Sequence, residues 1–334
     1  MGKSVLENLI NLPKTYISLL NDEKRQRLYI RNQLFPEIEE AKKTNDGSLD
    51  DNDFKKIEQY YGFGVPAILG ESFCTLRGSM MTPKERKAST YQGAMTGLFD
   101  DFFDKRKISN NIIKQLVENP ENIQVKTSNE KLFIHFYIKV LENADNEDLI
   151  KKTLKVIYYS QLESKKQKNP NLSNDEIKRI TLKKGGHSLL FYRSAFFNPL
   201  QEGEYEALYN IGALMQLGND IFDVYKDLKS KIYTLATKTV NIDNLRTIFK
   251  SQMDKAFKLS MEMNYPEKRI SKFLNKISLG ICRCYACLDQ LEELEKKTNN
   301  TFSPEHYKRK EMICNMKKLD NILKSVLYYA LYYF

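Results

Sequence analysis

Apolar residues in this chain return at every third or fourth position, with charged residues between them, in run after run. Residues 129–144, "NEKLFIHFYIKVLENA", and 146–166, "NEDLIKKTLKVIYYSQLESKK", show the pattern most plainly. That period puts one face of a helix on a core. Thr82-Pro83-Lys84-Glu85 predicts a capped start with proline at the first helical position. Ser173-Asn174-Asp175-Glu176 predicts another, and Ser303-Pro304 predicts the start of a last long helix. Breaks are expected at "ENPENIQ", "KNPNLS", "FNPLQEGE", "MNYPEK" and "KTNNTFSPE". Alternating strand patterns bounded by hairpin turns are nearly lacking, as are internal repeats and long linkers. The expectation is one all-α domain over residues 1–334, built from about ten to thirteen helices.

With 334 residues and 41% hydrophobic content there is enough apolar material for a sizeable core. "MGKSVLENLI" has neither an apolar signal region nor the serine or threonine of a myristoylation site. No apolar run approaches the roughly 20 residues of a membrane span. "ILKSVLYYALYYF" comes nearest, and is read as a closing core helix with room for peripheral membrane contact. Five cysteines without a signal suggest reduced thiols in a cytoplasm. Cys282, Cys284 and Cys287 do not share one helical face and have no second ligand pair, so buried thiols are expected rather than zinc ligands. The net charge of +10 is spread over lysines along the whole chain, with no nucleic-acid-binding signature. Such a field would attract a small polyanion such as a diphosphate.

Two acidic clusters change the picture. In "LFDDFFDK" (98–105) Asp100 and Asp104 lie one turn apart, about 6 Å along a helix, and Asp101 flanks both. Gly93, Thr96 and Gly97 precede them on the same face, at a stability cost of about 0.5–1 kcal/mol per glycine. A helix that accepts this has another helix or a ligand close to its backbone. Phe99, Phe102 and Phe103 are expected to pack the helix against its neighbours. In "YNIGALMQLGNDIFDVYKDLKS" Asn219, Asp223 and Asp227 recur every four residues on one expected stripe, flanked by Asp220 and Lys226. Leu208, Gly212, Met215 and Gln216 precede them. Like charges stacked one turn apart repel. A hard cation offsets that repulsion, and Mg²⁺ is bound by a few carboxylates together with waters and phosphate oxygens. As a Lewis acid it would clamp a leaving group.

At these residues the chain resembles the class I isoprenoid synthases, all-α enzymes that hold a prenyl diphosphate through Mg²⁺ on two acidic motifs of facing helices. "DDFFD" matches their DDxxD motif, and "NDIFDVYKD" matches ND-x-x-(S/T/D)-x-x-x-(E/D) of terpene cyclases at Asn219, Asp220, Asp223 and Asp227. "QLGNDIFDVYKD" equally resembles QLxNxxxDVxxD of squalene and phytoene synthases, at Gln216, Leu217, Asn219, Asp223, Val224 and Asp227. The resemblance covers about thirty residues in these motifs. It implies a helical bundle around a central cavity, with three Mg²⁺ ions in the substrate complex or Mn²⁺ in their place. It makes Asp100 and Asp104 metal ligands supported by Asp101, and gives the second metal site to Asn219, Asp220, Asp223 and Asp227.

The same resemblance assigns diphosphate contacts to Lys184, Arg193, Lys226 and Arg179. The pocket would be lined by Gly93, Thr96, Gly97, Phe191, Gly212, Met215 and Gln216. Gly185-Gly186 is expected to break or kink a helix. Phe191, Phe196 and Phe197 offer π-faces to a carbocation or simply pack the core. The chain departs from the family in lacking a GGK-x-x-RP-like segment and a C-terminal Arg-Tyr pair. His135, His187 and His306 are expected to be structural. The acids of "LDDND" (49–53) are expected to cap a helix. The function implied is Mg²⁺-dependent ionisation of a prenyl diphosphate by a terpene-synthase-like lyase. A squalene- or phytoene-type condensing transferase is the alternative, and a non-catalytic helical scaffold is a third reading. A homodimer is compatible with all three.

Overall fold

The computed structural model describes residues 5–105 and 108–331; the side chain of Asp104 lies outside the described residues. The described residues are helices joined by turns, with no strand among them, so the all-α expectation holds. In chain order the helices are α1 (Val5–Tyr29), α2 (Phe35–Lys43), α3 (Asp51–Lys55), α4 (Gly62–Gly64), α5 (Glu71–Arg77) and α6 (Pro83–Asp104). Then follow α7 (Asn110–Glu118), α8 (Ser128–Asn143), α9 (Glu147–Ser164), α10 (Asn174–Arg193), α11 (Glu204–Phe222) and α12 (Val224–Lys229). The last are α13 (Leu235–Lys238), α14 (Ile242–Met261), α15 (Glu267–Lys297), α16 (Arg309–Met312) and α17 (Leu319–Leu331). π-Helical stretches occupy Ile30–Leu34, Lys56–Tyr61 and Val65–Gly70.

The five breaks expected from "ENPENIQ" to "KTNNTFSPE" fall at the junctions between helices. The Thr82 capping box forms, with Glu85 bonding back to the Thr82 N–H. Asp50 caps α3 through Asp53 in the same reciprocal way, as read from "LDDND". Ser173 accepts from the Glu176 N–H at the start of α10. Ser303-Pro304 opens only the short 3₁₀ turn Pro304–His306, not the long helix its sequence suggested. The segment around it is committed to turns: Asn299 and Asn300 adopt positive φ, and the Phe302 N–H docks on the Val240 carbonyl.

The chain forms two compact units. The first comprises residues 1–15, 162–189 and 200–334. Its core lies among α11, α14, α15 and α17. On α15 the series Ile270, Phe273, Leu274, Ile277 and Ile281 is buried at helical spacing. Tyr285 meets Phe249 of α14 edge to face at 5.2 Å and stacks on Tyr328 of α17 at 5.0 Å. Arg246 of α14 reaches Asp289 at 2.9 Å and Glu292 at 2.8 Å, and the Tyr328 hydroxyl donates to Asp289 at 2.6 Å. All five cysteines of the chain are buried, and burial pushes the Cys284 thiol up to about 12.

The second unit comprises residues 16–161 and 190–199. Its central element is α6, enclosed on all sides from Ala88 to Met95. A helix without a wet face belongs in the middle of a core. Phe99 stacks on Phe133 of α8 at 5.6 Å and Phe102 meets the same ring edge-on at 5.2 Å, so these phenylalanines pack the helix as expected. His135 pairs with Glu37 at 2.9 Å.

Candidate acidic functional sites

Asp100, Asp101 and Asp104 close the C-terminal end of α6 in the second unit. The mid-helix glycines before them are explained by a backbone neighbour. A Cβ on Gly93 would lie 2.3 Å from the carbonyl oxygen of Tyr61, and one on Gly97 would lie 3.1 Å from Lys56. Both glycines therefore meet the π-helical stretch Lys56–Tyr61, which delivers two side chains to the acids. π-Turns inside helices are frequent at functional sites. Asp100 is half-buried and accepts from the Gln161 amide at 2.5 Å and from the Tyr61 hydroxyl at 3.4 Å.

Asp101 has a different environment. Its side chain is 2% exposed and lies 2.6 Å from the Lys56 ammonium and 3.2 Å from that of Lys105. Burial, then a hydrogen bond shared with Asp53, push its carboxyl above the usual range against the pull of both lysines. Asp53 is held below its usual range: burial opposes this, and hydrogen bonds from Asp101, the Asp50 backbone and Lys105 outweigh it. Lys105 reaches both carboxyls, and Lys56 reaches Asp101. Asp101 is thus tied to the helix end by Lys56 and Lys105.

The remaining residues read from this unit surround α6. Thr96 donates to the Gln92 carbonyl and receives the Tyr192 hydroxyl at 3.3 Å. Phe191 is buried and its carbonyl accepts from the Gln92 amide at 2.7 Å. Phe196 packs edge-on against Phe73 at 5.4 Å, and the Phe197 N–H donates to Glu85. Arg193 is buried, and its guanidinium donates to the carbonyls of Phe196 and Asn198 at 3.4 Å.

The second cluster belongs to the first unit. Here the expected single stripe is interrupted. α11 ends at Phe222, Asp223 turns to φ −92° and ψ 10°, and α12 begins at Val224. Hydrogen bonds from Asp223 N–H to Asn219 and from Asp227 N–H to Asp223 still bridge the bend, at 2.9 and 2.8 Å. Burial rises along the series: Asn219 is exposed, Asp223 is partly exposed beside Lys226 at 2.9 Å, and Asp227 is buried.

Asp220 is buried and accepts from the Gln216 amide at 2.9 Å and from the Thr181 hydroxyl at 3.0 Å. Burial lifts its carboxyl to about 6 despite those bonds. Burial, then the charges of Asp220 and Asp223, raise Asp227 to about 8, with Lys226 and Lys184 opposing. Lys184 is the cation that both buried acids sense, and it sits on α10.

Gly185-Gly186 does not break α10, which runs unbroken through both residues. A Cβ on Gly185 would lie 2.3 Å from the Gly212 carbonyl, one on Gly212 would lie 2.3 Å from the Gly185 carbonyl, and one on Gly186 would enter the Tyr209 ring. The glycines let α10 and α11 cross backbone on backbone, which positions Thr181 and Lys184 beside Asp220. His187 packs against Tyr209. Met215 and Gln216 are half-buried. Arg179, expected at a diphosphate, has its guanidinium engaged by Glu163 and by Glu176 at 2.8 Å.

Among the described residues no three histidine, cysteine or acidic side chains lie close enough together to cage an ion. The donor set nevertheless fits Mg²⁺, which binds through one or two carboxylates with water and phosphate oxygens making up the rest. Asp220 and Asp223 raise the proton affinity of the buried Asp227 against the pull of Lys226 and Lys184, and Asp100 accepts from two neutral donors. Tyr61, Lys56, Gln161 and Thr181 were not readable from the sequence, since each reaches its acid from a distant segment.

No protein-family model matches the chain, and no curated protein matches it. Among solved structures the chain is similar to a dehydrosqualene synthase in complex with ligand, with a TM-score of 0.46 and 13% identity over 95% of this chain and 100% of that one.

Proposed function

We propose that the chain is a Mg²⁺-dependent enzyme acting on a prenyl diphosphate, of the condensing transferase type. The metal and substrate class rest on the two acidic motifs. The choice of type rests on one observation, the engagement of Asp220 by Gln216 and Thr181. In QLxNxxxDVxxD the glutamine is part of the pattern and the position of Asp220 is free, which suits a buried acid that braces the helix. The residues left to hold a metal are Asp223, Asp227 and Asn219 in one cluster and Asp100 with Asp104 in the other. Bound Mg²⁺ would supply Lewis-acid stabilisation of the departing diphosphate.

The chain's own residues do the rest. Gln161 and Tyr61 orient Asp100, and the Gln216–Asp220–Thr181 bonds fix the end of α11. Lys184 and Lys226 add positive charge where the leaving group develops negative charge. The cyclase reading keeps one supporting observation, the complete ND-x-x-D-x-x-x-D spacing from Asn219 to Asp227.

The test is pyrophosphate release by purified protein with Mg²⁺ and prenyl diphosphates of ten to thirty carbons. Asp100→Ala and Asp223→Ala are expected to lower the rate at least ~100-fold with melting temperature nearly unchanged. Asp101→Ala is expected to cost about 2 kcal/mol of stability, less than a fully buried pair because its lysine partners reach solvent. A product containing two prenyl chains supports condensation, and one containing a single chain supports the cyclase. No release from any of these substrates defeats both readings and leaves the scaffold.

A further inference from the structure

Helix α1 is inside out. Its buried residues, Asn8, Thr15, Asp22 and Gln26, are all polar. The opposite face carries Leu6, Leu9, Ile10, Ile17 and Leu20, each 44% exposed or more. The spacing of these residues is that of one helical stripe. The inner face, where Leu12 and Leu19 are half-buried, is also held by hydrogen bonds: the Asn8 amide donates to the Ala330 carbonyl of α17 at 3.3 Å, and the Gln26 amide donates to the Gly62 carbonyl at 3.0 Å.

α17, in contact with the start of α1, has an outer face of the same kind. Leu319, Leu323, Leu327 and Leu331 recur every four residues and are 51–67% exposed. A surface helix is expected to turn such a stripe inward, and two neighbouring helices that turn it outward mark an interaction surface. The charges at its edge are mostly basic. Lys14 on α1 and Lys317 and Lys318 before α17 are exposed and Lys324 is partly exposed, against the exposed acids Glu7 and Asp320, and the whole chain carries +10. No described helix is long and apolar enough to cross a bilayer.

We propose that the first part of α1, up to residue 15, and α17, both in the first unit, form a docking surface for an anionic lipid bilayer. The leucine faces sink to the headgroup and acyl boundary, and the lysines meet the acidic headgroups. This surface is argued from exposure and charge alone and stands apart from the catalytic reading. The basic surplus complements a layer of acidic headgroups, whereas a second copy would bring a surface of the same net sign against it.

The experiment is co-sedimentation of the full chain with vesicles of phosphatidylcholine alone and of phosphatidylcholine with phosphatidylglycerol. Binding to the anionic vesicles, weakened by salt, is the expected result. Leu323→Glu with Leu327→Glu should lower binding at least roughly tenfold, and Lys317→Glu with Lys318→Glu should lower it by roughly fivefold or more. Circular dichroism checks that these exposed substitutions leave the fold intact. If the α17 pair fails to fold, Leu6→Glu with Ile10→Glu on α1 makes the same measurement. Absence of binding, or binding that neither apolar pair weakens, overturns the proposal. So does a dimer seen by sedimentation velocity that the leucine pair dissociates while vesicles are ignored.

Discussion

Asp227 shows how a single residue can be costly to the fold it sits in. Its carboxyl is raised from 3.8 to about 8 by burial and by Asp220 and Asp223. The folded state therefore holds a proton that the unfolded state releases once the pH passes about 4. The contribution of this residue to stability worsens as pH climbs from about 4 towards 8, and levels off once both states have lost the proton. Asp227→Asn removes that penalty. With chelator present, its melting temperature should exceed that of the unaltered chain by a few degrees at pH 8 and by less at pH 5. The same substitution should abolish pyrophosphate release. A gain that is flat with pH would show that Asp227 is not the group under strain. Residues that oppose stability and serve chemistry are expected at sites and uncommon elsewhere.

Among the elements, α10 and α11 show best what the sequence could and could not convey. Thr82, Asp50 and Ser173 were legible as caps because a cap is decided within four residues. Gly185-Gly186 read as a break because two glycines in a helix cost roughly 1 kcal/mol each relative to alanine. That local cost is outweighed by a contact 27 positions away along the chain, Gly212, which no local pattern announces. The same holds for α6, where Gly93 and Gly97 told of a close neighbour without telling which. The acids themselves were legible by spacing, but their partners Lys56, Tyr61, Gln161 and Thr181 were not. The short turn around Ser303 is likewise tied by a long-range bond, from the Phe302 N–H to the Val240 carbonyl. The crossing predicts an asymmetry among glycines. Gly212→Ala drives a methyl group into the Gly185 carbonyl and should cost about 2 kcal/mol. Gly280→Ala, on α15 with nothing within 4 Å, should stabilise by about 0.5–1 kcal/mol. Thermal melts of the two variants moving in the same direction would contradict this.

For the whole molecule, α1 and α17 matter most, because they tie one end of the described chain to the other. Removing residues 319–331 takes away the Ala330 carbonyl that receives the Asn8 amide and the Tyr328 hydroxyl that bonds Asp289. A chain ending before α17 is expected to lose the cooperative melt of the first unit, read by calorimetry, while a chain with Tyr328→Phe should melt cooperatively at a slightly lower temperature. A truncated chain that melts as sharply as the full one would show that the closure is dispensable. The bond from Asn8 to Ala330 spans 322 positions, so it also has a date in the life of the polypeptide. At ribosomal speed α1 waits on the order of half a minute before its partner helix has been made. Throughout that time the polar inner face around Asn8 lacks its α17 partner, while the leucine face is as open as in the folded chain, so a lipid surface can meet that face before α17 exists.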